Sequence, residues 1–112
     1  MLNYKPYVPK TIDQVLDQLA FVSSKSPTFA DPFFRDRNVD SVFTQLSAGL
    51  LNIRKKVGEE RYKALMELSL QVREHFEADP DESNGRTHAG RLVIREMQAI
   101  IRRKGQVPRE GQ

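Results

Sequence analysis

The chain has no cysteine. That excludes a disulfide framework, a thiolate metal site and a cysteine nucleophile. Histidine is scarce: His75 and His88 are the only two, and neither belongs to an HExxH metal helix. The positions three residues before them hold Val72 and Gly85, so the Glu-x-x-His pairs of di-metal helical bundles are missing. The short Arg-to-His spacing used by helical ribonucleases is missing too. Before His75 the required positions are apolar or neutral, and before His88 they hold Pro80 to Ser83. There is no G-x-S-x-G elbow and no phosphate-binding glycine loop. No window approaches the roughly 18 apolar residues of a membrane span. The opening Met1-Leu2-Asn3-Tyr4-Lys5-Pro6 has no apolar run of signal-peptide type. These absences predict a non-enzymatic, cytoplasmic protein with no cofactor, no metal and no membrane segment.

What is present is helical periodicity. At 112 residues and 38% apolar content, the chain is long enough for one domain with a hydrophobic core. Thr11 followed by Gln14 has capping-box spacing, and Val15, Leu16, Leu19 and Val22 recur on one helical face. Ser26-Pro27 ends this first helix, predicted over 11–24, because the residue before proline resists the α region. Asn38 is placed to cap the second helix. Its stripe of Val39, Val42, Phe43, Leu46, Leu50, Ile53 and Val57 predicts a continuous helix over 39–57. Gly58 suits the position just past that helix, and Arg54, Lys55 and Lys56 suit its last turn. Glu59 and Glu60 open the third helix, predicted over 59–78, with Tyr62, Leu65, Met66, Ser69, Val72 and Phe76 inward. Leu68 and Leu70 widen its apolar surface. Thr87 is a candidate cap for the fourth helix, predicted over 88–104, with Ala89, Val93, Met97, Ile100 and Ile101 buried and Leu92 beside them. No strand-like alternation competes. The expected fold is all-α, a compact four-helix bundle spanning 1–112 as one domain, with loose termini at about 1–10 and 105–112.

The 27–38 loop carries Phe29, Phe33 and Phe34. They are expected to plug the end of the bundle; the alternative is an aromatic anchor for a partner.

Charge is unevenly placed. Residues 85–112 hold seven basic and two acidic side chains, so the net +3 belongs to the C-terminal quarter. Arg91, Arg95 and Arg102 project from roughly one side of the last helix, which suggests either a solvated face or contacts to phosphate. No helix-turn-helix spacing precedes them, and the adjoining acidic turn repels phosphate, which argues against nucleic acid. That turn is Glu77-Ala78-Asp79-Pro80-Asp81-Glu82-Ser83-Asn84-Gly85, with four carboxylates in seven residues. It suits a cation, a basic partner, or simple solvation of a loop. Asp79, Asp81 and Ser83 fall at the first, third and fifth positions of an EF-hand-like loop. The sixth is Asn84 rather than Gly, and the twelfth is Gly90 rather than a bidentate Glu, which argues against calcium.

Phe76-Glu77-Ala78-Asp79-Pro80-Asp81-Glu82, followed by Gly85, Thr87, Gly90-Arg91, Ile94 and Glu96-Met97, resembles a segment of the small helical immunity proteins encoded beside contact-dependent growth-inhibition and related polymorphic toxins in bacteria. The upstream Val57-Gly58-Glu59-Glu60-Arg61-Tyr62, with Leu65 and Leu68, is similar as well. The likeness covers about residues 40–101. It implies a cytoplasmic inhibitor that binds one cognate toxin domain, a nuclease in many such systems. Glu77, Asp79, Asp81 and Glu82 are then the expected contacts to a basic cleft. Arg91 and Arg95 are the expected contacts if the opposite charge does the binding. A small nucleic-acid-associated regulator and a helical subunit of a larger assembly are the alternatives.

Overall fold

The computed structural model describes residues 8–33 and 37–103. Among them are five helices and no strand: α1 (Ile12–Lys25), α2 (Val39–Asn52), α3 (Arg54–Val57), α4 (Glu59–Glu77) and α5 (Arg86–Arg102). The expected loose ends at 1–7 and 105–112, and Phe34, lie outside the described residues. Residues 8–10 are not loose: Pro9 is buried, and its carbonyl accepts the Asn52 side-chain N–H at 2.8 Å. A Cβ on Gly49 would stand 2.8 Å from the Pro9 ring. Glycine at 49 is therefore what lets the N-terminal segment lie against α2.

Local chemistry explains the helix starts. The Thr11 hydroxyl accepts the Gln14 N–H at 3.1 Å, as the sequence predicts. The Gln14 side chain, however, takes the N–H of Lys10 at 2.8 Å. Asn38 and Ser41 cap α2 reciprocally, each side chain accepting the other's N–H at 2.9 Å. α1 ends at Lys25, and the Ser26–Pro27 peptide that follows is cis.

Two expected helices differ from what is observed. The rod predicted over 39–57 breaks at Ile53, whose N–H is shared between the carbonyls of Gly49 and Leu50 at 3.3 and 3.2 Å. Such sharing tightens a helix end, and α3 restarts one residue later. Ile53 and Val57 stay buried, so the stripe survives although the rod does not. Gly58 then takes φ 89°, a region that glycine occupies without steric cost. The last helix begins two residues earlier than predicted, and its buried line is Thr87, Gly90, Ile94, Met97 and Ile101. Ala89, Val93 and Ile100 lie at its margin, half-buried. The rotation follows from Gly90, where a Cβ would meet the Phe76 ring at 2.6 Å. With no side chain there, α5 approaches α4 closely on a line that apolarity alone does not mark.

The helices form an antiparallel ring. α4 packs on α5, α5 on α1, α1 on α2 and α2 on α4. At one end lie the end of α1, the start of α2, the end of α4 and the start of α5. There Phe29, Phe43 and Phe76 meet in a triangle with centroids 6.0–6.3 Å apart. Such ring pairs contribute about 0.5–1.5 kcal/mol each beyond simple burial. Phe29 plugs this end as expected, at φ 63°, a conformation unfavourable for a non-glycine residue. Arg37 holds it there: its Nε donates to the Phe29 carbonyl at 2.8 Å, and its Nη2 pairs with Asp31 at 3.1 Å. Phe33 does not plug anything; it is 65% exposed.

At the other end, Arg61 is buried with no carboxylate partner among the described residues. Its Nε donates to the Val57 carbonyl at 2.7 Å, and its Nη1 reaches the carbonyls of Ile100 and Arg103. One guanidinium thus satisfies the last carbonyls of both α3 and α5, where a cation also complements the helix dipoles. The sequence reading missed this role, because an arginine in an amphipathic pattern reads as surface.

Leu46 is fully buried, whereas Leu70, expected to widen the inward surface of α4, is 62% exposed. Leu46→Ala is expected to destabilise the fold by about 2–5 kcal/mol through lost burial and a cavity. Leu70→Ala should change it by less than about 0.5 kcal/mol. Urea unfolding of both variants checks the contrast.

Candidate functional site: the acidic turn

The acidic turn is built around one inward carboxylate. Phe76 and the end of α4 enter the core, and the Asp79 N–H bonds back to the Phe76 carbonyl at 3.2 Å. Pro80 stands second in a four-residue turn closed by Glu82 N–H to Asp79 C=O at 3.1 Å, the position where its fixed φ fits. Glu82 takes φ 55°. The Asp79 side chain then points back under the turn, only 1% exposed. Its Oδ1 accepts the N–H groups of Ser83 and Asn84 at 2.7 and 3.1 Å. Its Oδ2 accepts the Thr87 N–H at 2.9 Å, and the Thr87 hydroxyl donates to the Asp79 carbonyl at 3.1 Å.

Asp79 is thus the remote cap of α5. Thr87, the predicted cap, sits inside the helix and is buried. Asn84 completes the closure: its amide donates to the Ala78 carbonyl at 2.9 Å, and its Oδ1 accepts the Arg86 N–H at 3.0 Å. Burial pushes the Asp79 carboxyl upward, but the backbone N–H groups of Thr87, Asn84 and Ser83 outweigh it and hold the group below its ordinary value.

This corrects one expected contact. Asp79 is buried and both of its oxygens are taken by N–H donors, so it does not face a partner. Glu77, Asp81 and Glu82 are exposed. Glu77 pairs with Arg73 of the preceding turn at 3.4 Å, and Glu82 with Arg91 at 3.5 Å. Asp81 accepts the Ser83 hydroxyl at 2.7 Å. Pairs this exposed contribute little stability and exchange partners readily.

Arg91 and Arg95 have different circumstances. Arg91 turns onto the end of α1, donating to the Ser23 carbonyl at 3.2 Å, the Ser26 hydroxyl at 2.9 Å and the Ser26 carbonyl at 3.2 Å. It is a brace between α5 and α1 that also touches the turn through Glu82. Arg95 is exposed. The structure therefore gathers Glu77, Asp81, Glu82 and Arg91 around one end of the bundle and leaves Arg95 a turn further along α5. It also pairs His75 with Arg86, whose Nε donates to His75 Nδ1 at 2.8 Å. That contact runs forward across the turn, so a search for arginine just upstream of histidine does not find it.

Among the described residues no group of three or more His, Asp or Glu is arranged to hold a metal ion, and no helix is long and apolar enough to cross a membrane. No family model, curated protein sequence or solved structure matches the chain.

Asp79→Asn keeps the shape but turns an amide donor towards the Thr87 N–H. Its melting temperature at neutral pH is expected to fall by roughly 5–10 °C, while Asp81→Asn should leave it nearly unchanged. The sign of the pH effect follows from the lowered folded value. The contribution of Asp79 is full above the ordinary carboxyl value of 3.8 and is lost as pH falls through the folded one. The gap between wild type and Asp79→Asn should therefore close in acid, which thermal melts from pH 7 to pH 2 measure.

Proposed function

We propose that this protein is a non-enzymatic binding protein that neutralises a cognate bacterial toxin domain, with the acidic turn as its contact surface. The carrying observation is that the turn is held from inside. Asp79 fixes its backbone, so the exposed carboxylates of Glu77, Asp81 and Glu82 project from an ordered frame. A surface ordered before contact loses less conformational entropy on binding. Carboxylates on such a frame match a basic cleft, pair with Arg or Lys, and accelerate encounter by steering. The toxin as the partner rests on the resemblance to small helical immunity proteins, which runs through this same turn.

The supporting residues are fewer than the sequence suggested. Glu77, Asp81 and Glu82 are the contacts in this reading, and Asp79 is the residue that positions them. Arg91 serves the reading indirectly, by holding Glu82 and the end of α1 together. Binding of a basic cleft requires only that Glu77 and Glu82 exchange Arg73 and Arg91 for partner cations, one surface ion pair for another.

The combined change Glu77→Lys, Asp81→Lys and Glu82→Lys should leave the melting temperature within a few degrees of wild type, roughly. It should slow association with the toxin encoded by the neighbouring gene by about tenfold or more at low salt. Surface plasmon resonance against that toxin domain reads the rate. Failure to bind the toxin at all, or an unchanged association rate in the variant, overturns the proposal.

A further inference from the structure

We infer that the end of the bundle opposite the acidic turn is a second interaction surface, made jointly by α3 and the end of α5, that docks on the phosphate backbone of duplex nucleic acid. Two basic segments far apart in sequence converge there. Arg54, Lys55 and Lys56 lie on α3, Arg102 is the last residue of α5, and Arg103 follows it. The convergence is shown by Arg61, whose single guanidinium reaches the Val57 carbonyl at the end of α3 and the Ile100 and Arg103 carbonyls at the end of α5. Of the five cations around it, Arg54 is committed to Glu59 through two 2.7 Å hydrogen bonds. Lys55, Lys56, Arg102 and Arg103 are exposed and have no ion pair among the described residues.

Cations at one helix C-terminus are ordinary, because they complement its dipole. Here two termini bring theirs to one end of the bundle, where among the described residues the carboxylates that open α4 are Glu59, which is spent on Arg54, and Glu60. The partner class follows from what that end carries and lacks among the described residues. Protein contact sites concentrate binding in buried aromatic anchors; here Tyr62 lies beneath the Arg54 guanidinium, 4.8 Å from ring centroid to charge. Four cations with neither an ion pair nor an exposed aromatic ring beside them among the described residues fit regularly spaced duplex phosphates.

Repulsion by the acidic turn, the objection the sequence raises, does not operate at this end. α5 has 17 residues, so its two ends are roughly 25 Å apart. That is about three times the screening length of roughly 8 Å at physiological salt. The two charged ends act separately, and the duplex surface stands or falls independently of the toxin reading.

Fluorescence anisotropy with a labelled 20-base-pair DNA duplex tests this on the intact protein. With four phosphate contacts, log K should fall with log salt at a slope of about −3 to −4, roughly a hundredfold loss between 50 and 200 mM salt. The pairs Lys55→Gln/Lys56→Gln and Arg102→Gln/Arg103→Gln should each weaken binding at 50 mM salt about tenfold or more with unchanged melting temperatures. The Glu77, Asp81 and Glu82 reversal should not weaken it. No binding at 50 mM salt overturns the inference. So does an effect confined to one of the two pairs, or binding to anionic phosphatidylserine vesicles in place of the duplex.

Discussion

The buried carboxylate of Asp79 is the constraint on which one end of this bundle depends. It collects the N–H groups of Ser83, Asn84 and Thr87, donors that the turn and the start of α5 otherwise leave unsatisfied. Those bonds set where α5 begins and at what angle it leaves α4. The angle brings Gly90 under the Phe76 ring, and Phe76 in turn completes the aromatic triangle with Phe29 and Phe43. Arg91, carried one residue past Gly90, reaches the end of α1 and closes the ring of helices.

The opposite end has the converse arrangement. There a buried cation, Arg61, gathers carbonyls as Asp79 gathers N–H groups. Arg61 lies where the C-termini of α3 and α5 meet, and Asp79 lies at the N-terminus of α5, each beside the complementary partial charge. Hydrogen bonds to a charged group contribute more than neutral ones, and leaving such a group buried without partners is costly. Each charge is therefore tolerated inside only while its partners stay in place. Arg61 thereby ties the ends of α3 and α5 to one another, and Asp79 ties the start of α5 to the turn that follows α4.

The two poles also separate the two proposed surfaces. Carboxylates not needed inside the turn, Glu77, Asp81 and Glu82, stay on the outside of one pole. Cations not needed by Arg61's neighbours, Lys55, Lys56, Arg102 and Arg103, stay on the outside of the other. Arg86 and Arg91 stay beside the acidic turn, whereas α5 carries Arg102 and Arg103 to the other pole.

Periodicity determined the helical class, the inward faces of α1 and α2 and most of the inward face of α4, and residue type at the helix starts determined the caps at Thr11 and Asn38. Each of these depends on residues within a turn or two of one another, and such neighbours interact whatever the rest of the chain does. The tertiary structure decided what depends on distant partners. The break at Ile53, the rotation of α5 onto Thr87, Gly90 and Ile94, and the exposure of Leu70 and Phe33 are not written in local spacing. Residue type could not separate the four turn carboxylates either: Asp79, Asp81, Glu77 and Glu82 read alike until the backbone bends one of them inward. Burial is a property of where the chain folds back, and only the folded chain turned one acidic residue into a cap and left the other three as a surface.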